Sequence, residues 1–212
     1  MSNRYRIVVL LSGSGSTLQS MIDADLPADI CAVISNKADV MGLERAQKAG
    51  INSHVLEHTA FPSREAFDLE LKKLIEQQQA DLIVLAGFMR ILSDDFVNHY
   101  YGKLINIHPS LLPKYKGMYT HQRVMDDGEP LHGSSVHFVN TELDGGPVVL
   151  QARVPVLPSD DVESLELRIK SKEQLIYPTA ISWLAEGRIE LKGHEVYMDQ
   201  KKMSGPVVID YM

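Results

Sequence analysis

A single cysteine, Cys31, stands in 212 residues, which excludes an intramolecular disulfide and fits a reducing compartment. It lies in an apolar run and is expected as a buried small hydrophobe. No apolar run exceeds a few residues, far short of the roughly 20 that a membrane-spanning helix needs. The first residues lead straight into a strand-like run with no signal-peptide h-region, so the expected location is cytoplasmic and no membrane partner is expected. Positive charge is also scarce. Lys and Arg number 21 against 28 Asp and Glu, for a net charge of -7, and the basic residues are dispersed. That argues against a nucleic-acid partner and leaves room only for local binding of a small anion. Repeats and low-complexity tracts are absent. His108, His121, His132 and His137 are clustered, yet no pair has the i,i+4 helical spacing of metal ligands, and no metal is expected.

What is present is enough apolar material, 44% of residues, to build a full core. The length fits one large domain, or a domain with a small appendage. Residues 6–11 are a continuous β-branched and leucine run, the pattern of a parallel strand buried on both faces. Further strands are expected at 30–35, 53–56, 81–86 and 104–108. Helices alternate with them: one carrying Leu18, Met21 and Ile22, one at 42–50 ending at Gly50, one capped by Ser63, and one at 93–100. On the Ser63-capped helix Phe67, Leu71, Leu74 and Ile75 form the inner face. This βαβ alternation predicts an open, mostly parallel sheet with helices on both faces. After Gly117 the pattern shifts. A helix at 120–126 precedes strands at 134–139 and 148–156, which flank a turn and predict an antiparallel extension. Asp160 and Asp161 open a long helix carrying Val162, Leu165, Ile169 and Leu175, which Pro178 is expected to kink or divide. A hairpin turning near Gly193 closes the chain.

Ser12-Gly13-Ser14-Gly15-Ser16-Thr17-Leu18 joins the first strand to the first helix. Glycines let the backbone approach an anion, and the free N–H groups of a helix start supply its partners. The loop has no Gly-Lys-Ser/Thr and so is not a Walker loop. It has Leu18 where a dinucleotide loop has its third Gly, and the second strand ends at Asn36 with no acid to hold a ribose. A site for one phosphate remains, alongside a plain strand–helix turn.

Residues 106–113 read Asn-Ile-His-Pro-Ser-Leu-Leu-Pro, a strand end followed by a stiff loop. Alternation puts Asn106 and His108 on one side of the strand. An amide donor and a titratable imidazole then converge, which suits a reaction that stabilises an oxyanion and moves a proton near neutral pH. A hydrogen-bonded structural histidine is the other reading. Asp144, before Gly145 and Gly146, is either a turn residue or a carboxylate folded back beside His108. In the second case it favours the imidazolium and raises the His108 pKa, at about 1.4 kcal/mol per unit.

The whole 106–113 string resembles the signature of the folate-dependent formyltransferases. Ser-Gly-x-Gly-Ser at 12–16, Ser-Asn-Lys-Ala at 35–38, residues 86–92 and residues 142–147 recur in the order of that family, across about 6 to 190. Among its branches the chain is similar to the one that formylates glycinamide ribonucleotide. The resemblance implies a Rossmann-like fold in a single domain over 1–212. About 1–100 would be the nucleotide-binding half, and about 101–212 the folate-binding and catalytic half. It implies 10-formyltetrahydrofolate as formyl donor, small-molecule substrates, no ATP, and a monomer or homodimer. Asn106, His108 and Asp144 match the family's catalytic positions. Gly15, Ser16 and Thr17 match its phosphate site, and Glu173 its ribose contact. Arg64, Met89, Arg90, Ile91 and Leu92, with Asn106, Asn140, Thr141, Glu142, Leu143 and Asp144, match its folate site. The family commonly has Asn where this chain has Thr17, which keeps the backbone N–H but loses an amide donor. Three alternatives carry other functions: a formyltetrahydrofolate hydrolase, a methionyl-tRNA formyltransferase-like enzyme, and a non-catalytic nucleotide-binding protein. The first two usually carry an additional domain for which this chain has no room.

Overall fold

Residues 7–11 have no solvent exposure at all, so the first strand, β1 (Tyr5–Leu11), needs apolar cover on both faces. This is a computed structural model described over residues 4–211, in which the chain divides into two compact units, one ending at Ile105 and the other beginning at Asn106.

In the first unit β1 is followed by α1 (Ser16–Asp23), β2 (Ala28–Ser35), α2 (Met41–Lys48), β3 (Ser53–Val55), α3 (Arg64–Gln78), β4 (Leu82–Leu85) and α4 (Asp94–His99). The strand order is β4-β1-β2-β3, with every pair parallel. The helices supply the cover that the buried strands require: α1 buries Leu18 and Met21, and α3 buries Phe67, Leu71 and Ile75. Each such side chain contributes about 1.5–3 kcal/mol of transfer free energy. Ser63 caps α3 by accepting from the Ala66 N–H at 3.1 Å. Ser93 caps α4 by accepting from Phe96 N–H.

Strand β5 (Leu104–His108) carries the chain into the second unit. There follow α5 (Thr120–Asp126), β6 (Leu131–Phe138), β7 (Val148–Pro155) and α6 (Val162–Ala185). Strands β6 and β7 are antiparallel, as the turn between them predicts. Helix α6 lies against both and packs Leu165 and Ile169 on Val154. Its first turn is closed by a capping box in which Asp161 accepts from Ser164 N–H and Ser164 Oγ accepts from Asp161 N–H. The last four strands are β8 (Ile189–Lys192), β9 (Glu195–Met198), β10 (Lys201–Lys202) and β11 (Val207–Asp210). Strands β8 to β10 form a small antiparallel sheet, while β11 returns to pair parallel with β7. The expected α/β class holds, mostly parallel with an antiparallel extension. Among the described residues no helix is long and apolar enough to cross a membrane.

Three local expectations need correction. Cys31 is half-buried rather than buried, and its thiol donates to the Ile7 carbonyl at 3.1 Å. Leu74 is half-buried, at the margin of the inner face. Leu175 is 52% exposed, because six residues beyond Ile169 is about 240° around a helix. The inner face continues instead through Ile176, Tyr177, Ala180 and Ile181. Of the two alternatives expected at Pro178, division does not occur: α6 is one helix through it.

Candidate active site

Asn106 and His108 leave the end of β5, and Asp144 comes back to them from the turn between β6 and β7. That turn is tight. A Cβ on Gly146 would fall 1.8 Å from the Phe138 carbonyl oxygen, so only glycine fits. Asp144 itself takes a left-handed backbone with φ of 48°, a costly conformation for a non-glycine residue. The result is a carboxylate aimed inward. Asp144 Oδ2 accepts from Gly117 N–H at 2.9 Å and stands 3.4 Å from His108 Nδ1. The two side chains are 8% and 10% exposed, so little water screens the pair. On the other side of the ring, His108 Nε2 lies 2.9 Å from the Tyr115 carbonyl oxygen. A carbonyl can only accept, so Nε2 carries a proton. The Asp144 carboxylate thus faces one ring nitrogen and a backbone carbonyl the other.

Sequence reasoning weighed His137 only as a metal ligand. It is buried on β6, with Nε2 3.3 Å from Asn106 Nδ2 and 3.8 Å from Asp144 Oδ1. Asn106 thus meets Asp144 through His137. A histidine within the largely apolar run expected as a strand at 134–139 was the signal available. The backbone groups of Tyr115 and Gly117 left none, since any residue supplies them.

The loop after β5 is held from below. Ser135 Oγ accepts from Leu112 N–H at 3.1 Å and donates to the Ser110 carbonyl at 2.6 Å. Gln151 Nε2 donates to both Ser135 Oγ and the Leu112 carbonyl, at 2.9 Å each. All of this is buried, so Ser135→Ala strands several polar groups at once. We expect a cost of about 2–3 kcal/mol and a melting temperature lower by about 4–10 °C. An unchanged thermal melt would show that the loop does not depend on these bonds.

In the first unit the Gly-rich loop ends on Gly15, the N-cap of α1, with φ of 66° and no side chain capping the helix. A Cβ here would meet Gly42 Cα at 2.5 Å, and Gly42 N–H donates to the Gly13 carbonyl at 3.0 Å. The loop is thus clasped by the start of α2, and the N–H groups of Ser16 and Thr17 lie in the uncapped first turn of α1. Ser12 Oγ donates to Asn36 Oδ1 at 2.5 Å and accepts from Met89 N–H at 2.8 Å. That gives Asn36 a physical task, holding the Ser12 hydroxyl that anchors Met89. In the segment 87–92, Met89 and Ile91 are 65% and 64% exposed, while Leu92 is buried. The Arg90 guanidinium lies over Phe67, and the neighbouring Arg64 is exposed at the start of α3, beside Glu65.

The remaining expected residues lie in the second unit. Asn140 Oδ1 accepts from Glu142 N–H, and the Glu142 carboxylate pairs with Lys116 at 2.6 Å, while Thr141 and Leu143 are exposed. Glu173 is half-buried on α6, and burial, reinforced by Glu166, pushes its carboxyl up to about 7. Between its ordinary 4.5 and that value the folded state holds a proton that the unfolded chain has released. Stability therefore falls as pH rises through this window. Glu173→Gln is expected to gain on wild type by about 1 kcal/mol more at pH 8 than at pH 5, read from paired denaturation curves. Equal gains at both pH values would contradict the shift. His132 is buried with Nε2 2.9 Å from His121 Nδ1, and burial, with His121 and His108, pushes it down to about 3.

A buried imidazole–carboxylate pair beside an amide donor, at the end of a strand in an α/β fold, is an arrangement able to stabilise an oxyanion. The family model for formyl transferases matches residues 5–181, and the chain belongs to that family. Phosphoribosylglycinamide formyltransferase of Escherichia coli K12 is 52% identical over 201 residues, 93% of this chain and 95% of that protein. The enzyme of the same name from Haemophilus influenzae is 47% identical over 202 residues, again 93% and 95%. A solved phosphoribosylglycinamide formyltransferase from Coxiella burnetii superposes with a TM-score of 0.93 at 47% identity, covering 97% of this chain and 100% of that one.

Proposed function

We propose that the chain transfers the formyl group of 10-formyltetrahydrofolate to the primary amine of glycinamide ribonucleotide, a step of purine biosynthesis. Tetrahydrofolate and the formylated ribonucleotide are the products. The observation that carries the chemistry is the buried 3.4 Å pair of His108 and Asp144, in a chain that spans its formyltransferase relatives almost end to end.

The amine attacks the formyl carbon, the bond from that carbon to N10 of the folate breaks, and a proton passes from the amine to N10. Asn106 donates an amide hydrogen to the oxyanion. His108 donates Nε2–H, with the formyl oxygen taking the place of the Tyr115 carbonyl. Asp144 balances the imidazolium and orders the water that relays the proton. The folate supplies the one-carbon unit, so the protein need only position and stabilise.

For the acceptor, the N–H groups of Gly15, Ser16 and Thr17 receive the phosphate, and Thr17 adds a hydroxyl where the family commonly has an amide. Glu173 meets the ribose hydroxyls. For the donor, the backbone of Met89, Arg90, Ile91 and Leu92 and that of Asn140, Thr141, Glu142 and Leu143 holds the pterin. The side chains of Met89 and Ile91, otherwise left in water, offer it an apolar surface. Arg64 suits the anionic glutamate tail. In this reading the first unit is the nucleotide-binding half and the second the folate-binding and catalytic half. The enzyme works in the cytoplasm, as a monomer or homodimer.

The test is an acceptor panel with 10-formyltetrahydrofolate: glycinamide ribonucleotide, aminoacylated initiator tRNA, and water alone. Consumption of the folate is expected only with glycinamide ribonucleotide, and formate with ATP is expected to give no product. Equal consumption with no acceptor would assign a hydrolase instead.

A further inference from the structure

His137 is 2% exposed, beside Asn106 and Asp144, and takes no part in the steps above. Its two ring nitrogens have different neighbours. Nδ1 lies 2.8 Å from the Phe138 carbonyl oxygen, which can only accept, so Nδ1 bears the proton. Burial holds His137 below the usual imidazole range and keeps the ring neutral. Nε2 is then a bare lone pair, 3.3 Å from Asn106 Nδ2. A lone pair cannot face the carboxamide oxygen without repulsion, so the amide nitrogen must turn toward the ring. One of its two hydrogens goes to Nε2, and the other remains for a second acceptor.

We infer that His137 is a positioning residue, whose Nδ1–H tautomer, fixed by the Phe138 carbonyl, orients the Asn106 carboxamide so that it presents N–H and not oxygen to the oxyanion. The inference rests on the role given to Asn106 above. Without His137 the carboxamide is free to flip, and half of its settings would place an oxygen against a developing negative charge.

The experiment is a double-mutant cycle, with kcat and KM measured separately for formyl transfer. His137→Phe keeps a flat ring and removes both nitrogens. Its kcat is expected to fall by about tenfold to hundredfold, with KM for the ribonucleotide changed by less than about threefold. His137→Gln, whose Oε1 reaches the place of Nε2, is expected to recover most of that loss. In an Asn106→Ala background, His137→Phe is expected to add less than about threefold. The same loss in both backgrounds, or a wild-type kcat in His137→Phe, would overturn the inference. So would a loss that vanishes in an Asp144→Asn background but persists in Asn106→Ala, since the ring would then act through the carboxylate. A wild-type rate in Asn106→Ala alone would instead remove the oxyanion role of Asn106. If His137→Phe does not fold, the ring 15N spectrum of wild-type protein decides, with the His137 signals identified by their loss in His137→Gln. A neutral ring protonated on Nδ1 is expected across about pH 6 to 8, and a proton on Nε2 would overturn the assignment.

Discussion

His108→Ala is expected to lower kcat for formyl transfer by about three orders of magnitude, with KM for glycinamide ribonucleotide within about threefold of wild type. The size follows from what is lost. In the proposed mechanism one side chain supplies both the oxyanion donor, at Nε2, and the partner of Asp144, which stands 3.4 Å from Nδ1. The adjacent imidazole, His137, is no ready substitute, because burial holds it below the usual imidazole range. The Gly-rich loop proposed to take the phosphate belongs to the first unit, so acceptor binding is expected to survive. Steady-state rates under saturating substrates check this, and a wild-type kcat would contradict the role of His108.

Asp144→Asn is expected to cost about two to three orders of magnitude in kcat. This change separates charge from shape. Asparagine tolerates the left-handed backbone at φ of 48°, and its Oδ1 can still accept from Gly117 N–H. The turn should therefore keep its form, and a thermal melt within about 2 °C of wild type would show that it does. What disappears is the negative charge facing His108 Nδ1, in a site too dry for solvent to replace it. A fall in kcat with intact structure assigns the effect to the imidazolium. An unchanged kcat would mean that Asp144 only shapes the turn.

Much of the fold could be read from the chain because its strands are buried on both faces. Ile7 to Leu11 and Leu82 to Leu85 are continuous apolar runs with β-branched residues, too short for a helix, and that marks them as buried strands. The C-terminal residues were harder. Strand β11 is four residues long and alternates half-buried with exposed positions, so it has no core signal; the parallel pairing with β7 fixes it. Leu175 looked apolar enough for the core but stands at the wrong angle on α6. At the site, strand alternation paired Asn106 with His108, while the glycines after Asp144 marked only a turn and the family resemblance alone singled Asp144 out. The meeting of Asp144 with His108 spans 36 residues of chain (108 to 144), and no local pattern encodes it. His137 was visible only as one histidine among several, since the tautomer that gives it a task depends on a neighbouring carbonyl.

The most direct measurement of the whole account follows the carbon itself. Wild-type protein is given 10-formyltetrahydrofolate labelled at the formyl carbon, with glycinamide ribonucleotide and no ATP, and the products are read by mass spectrometry. The label is predicted to appear in the amide of the ribonucleotide, one for each tetrahydrofolate formed. Label released as free formate, with the ribonucleotide unmodified, would contradict it.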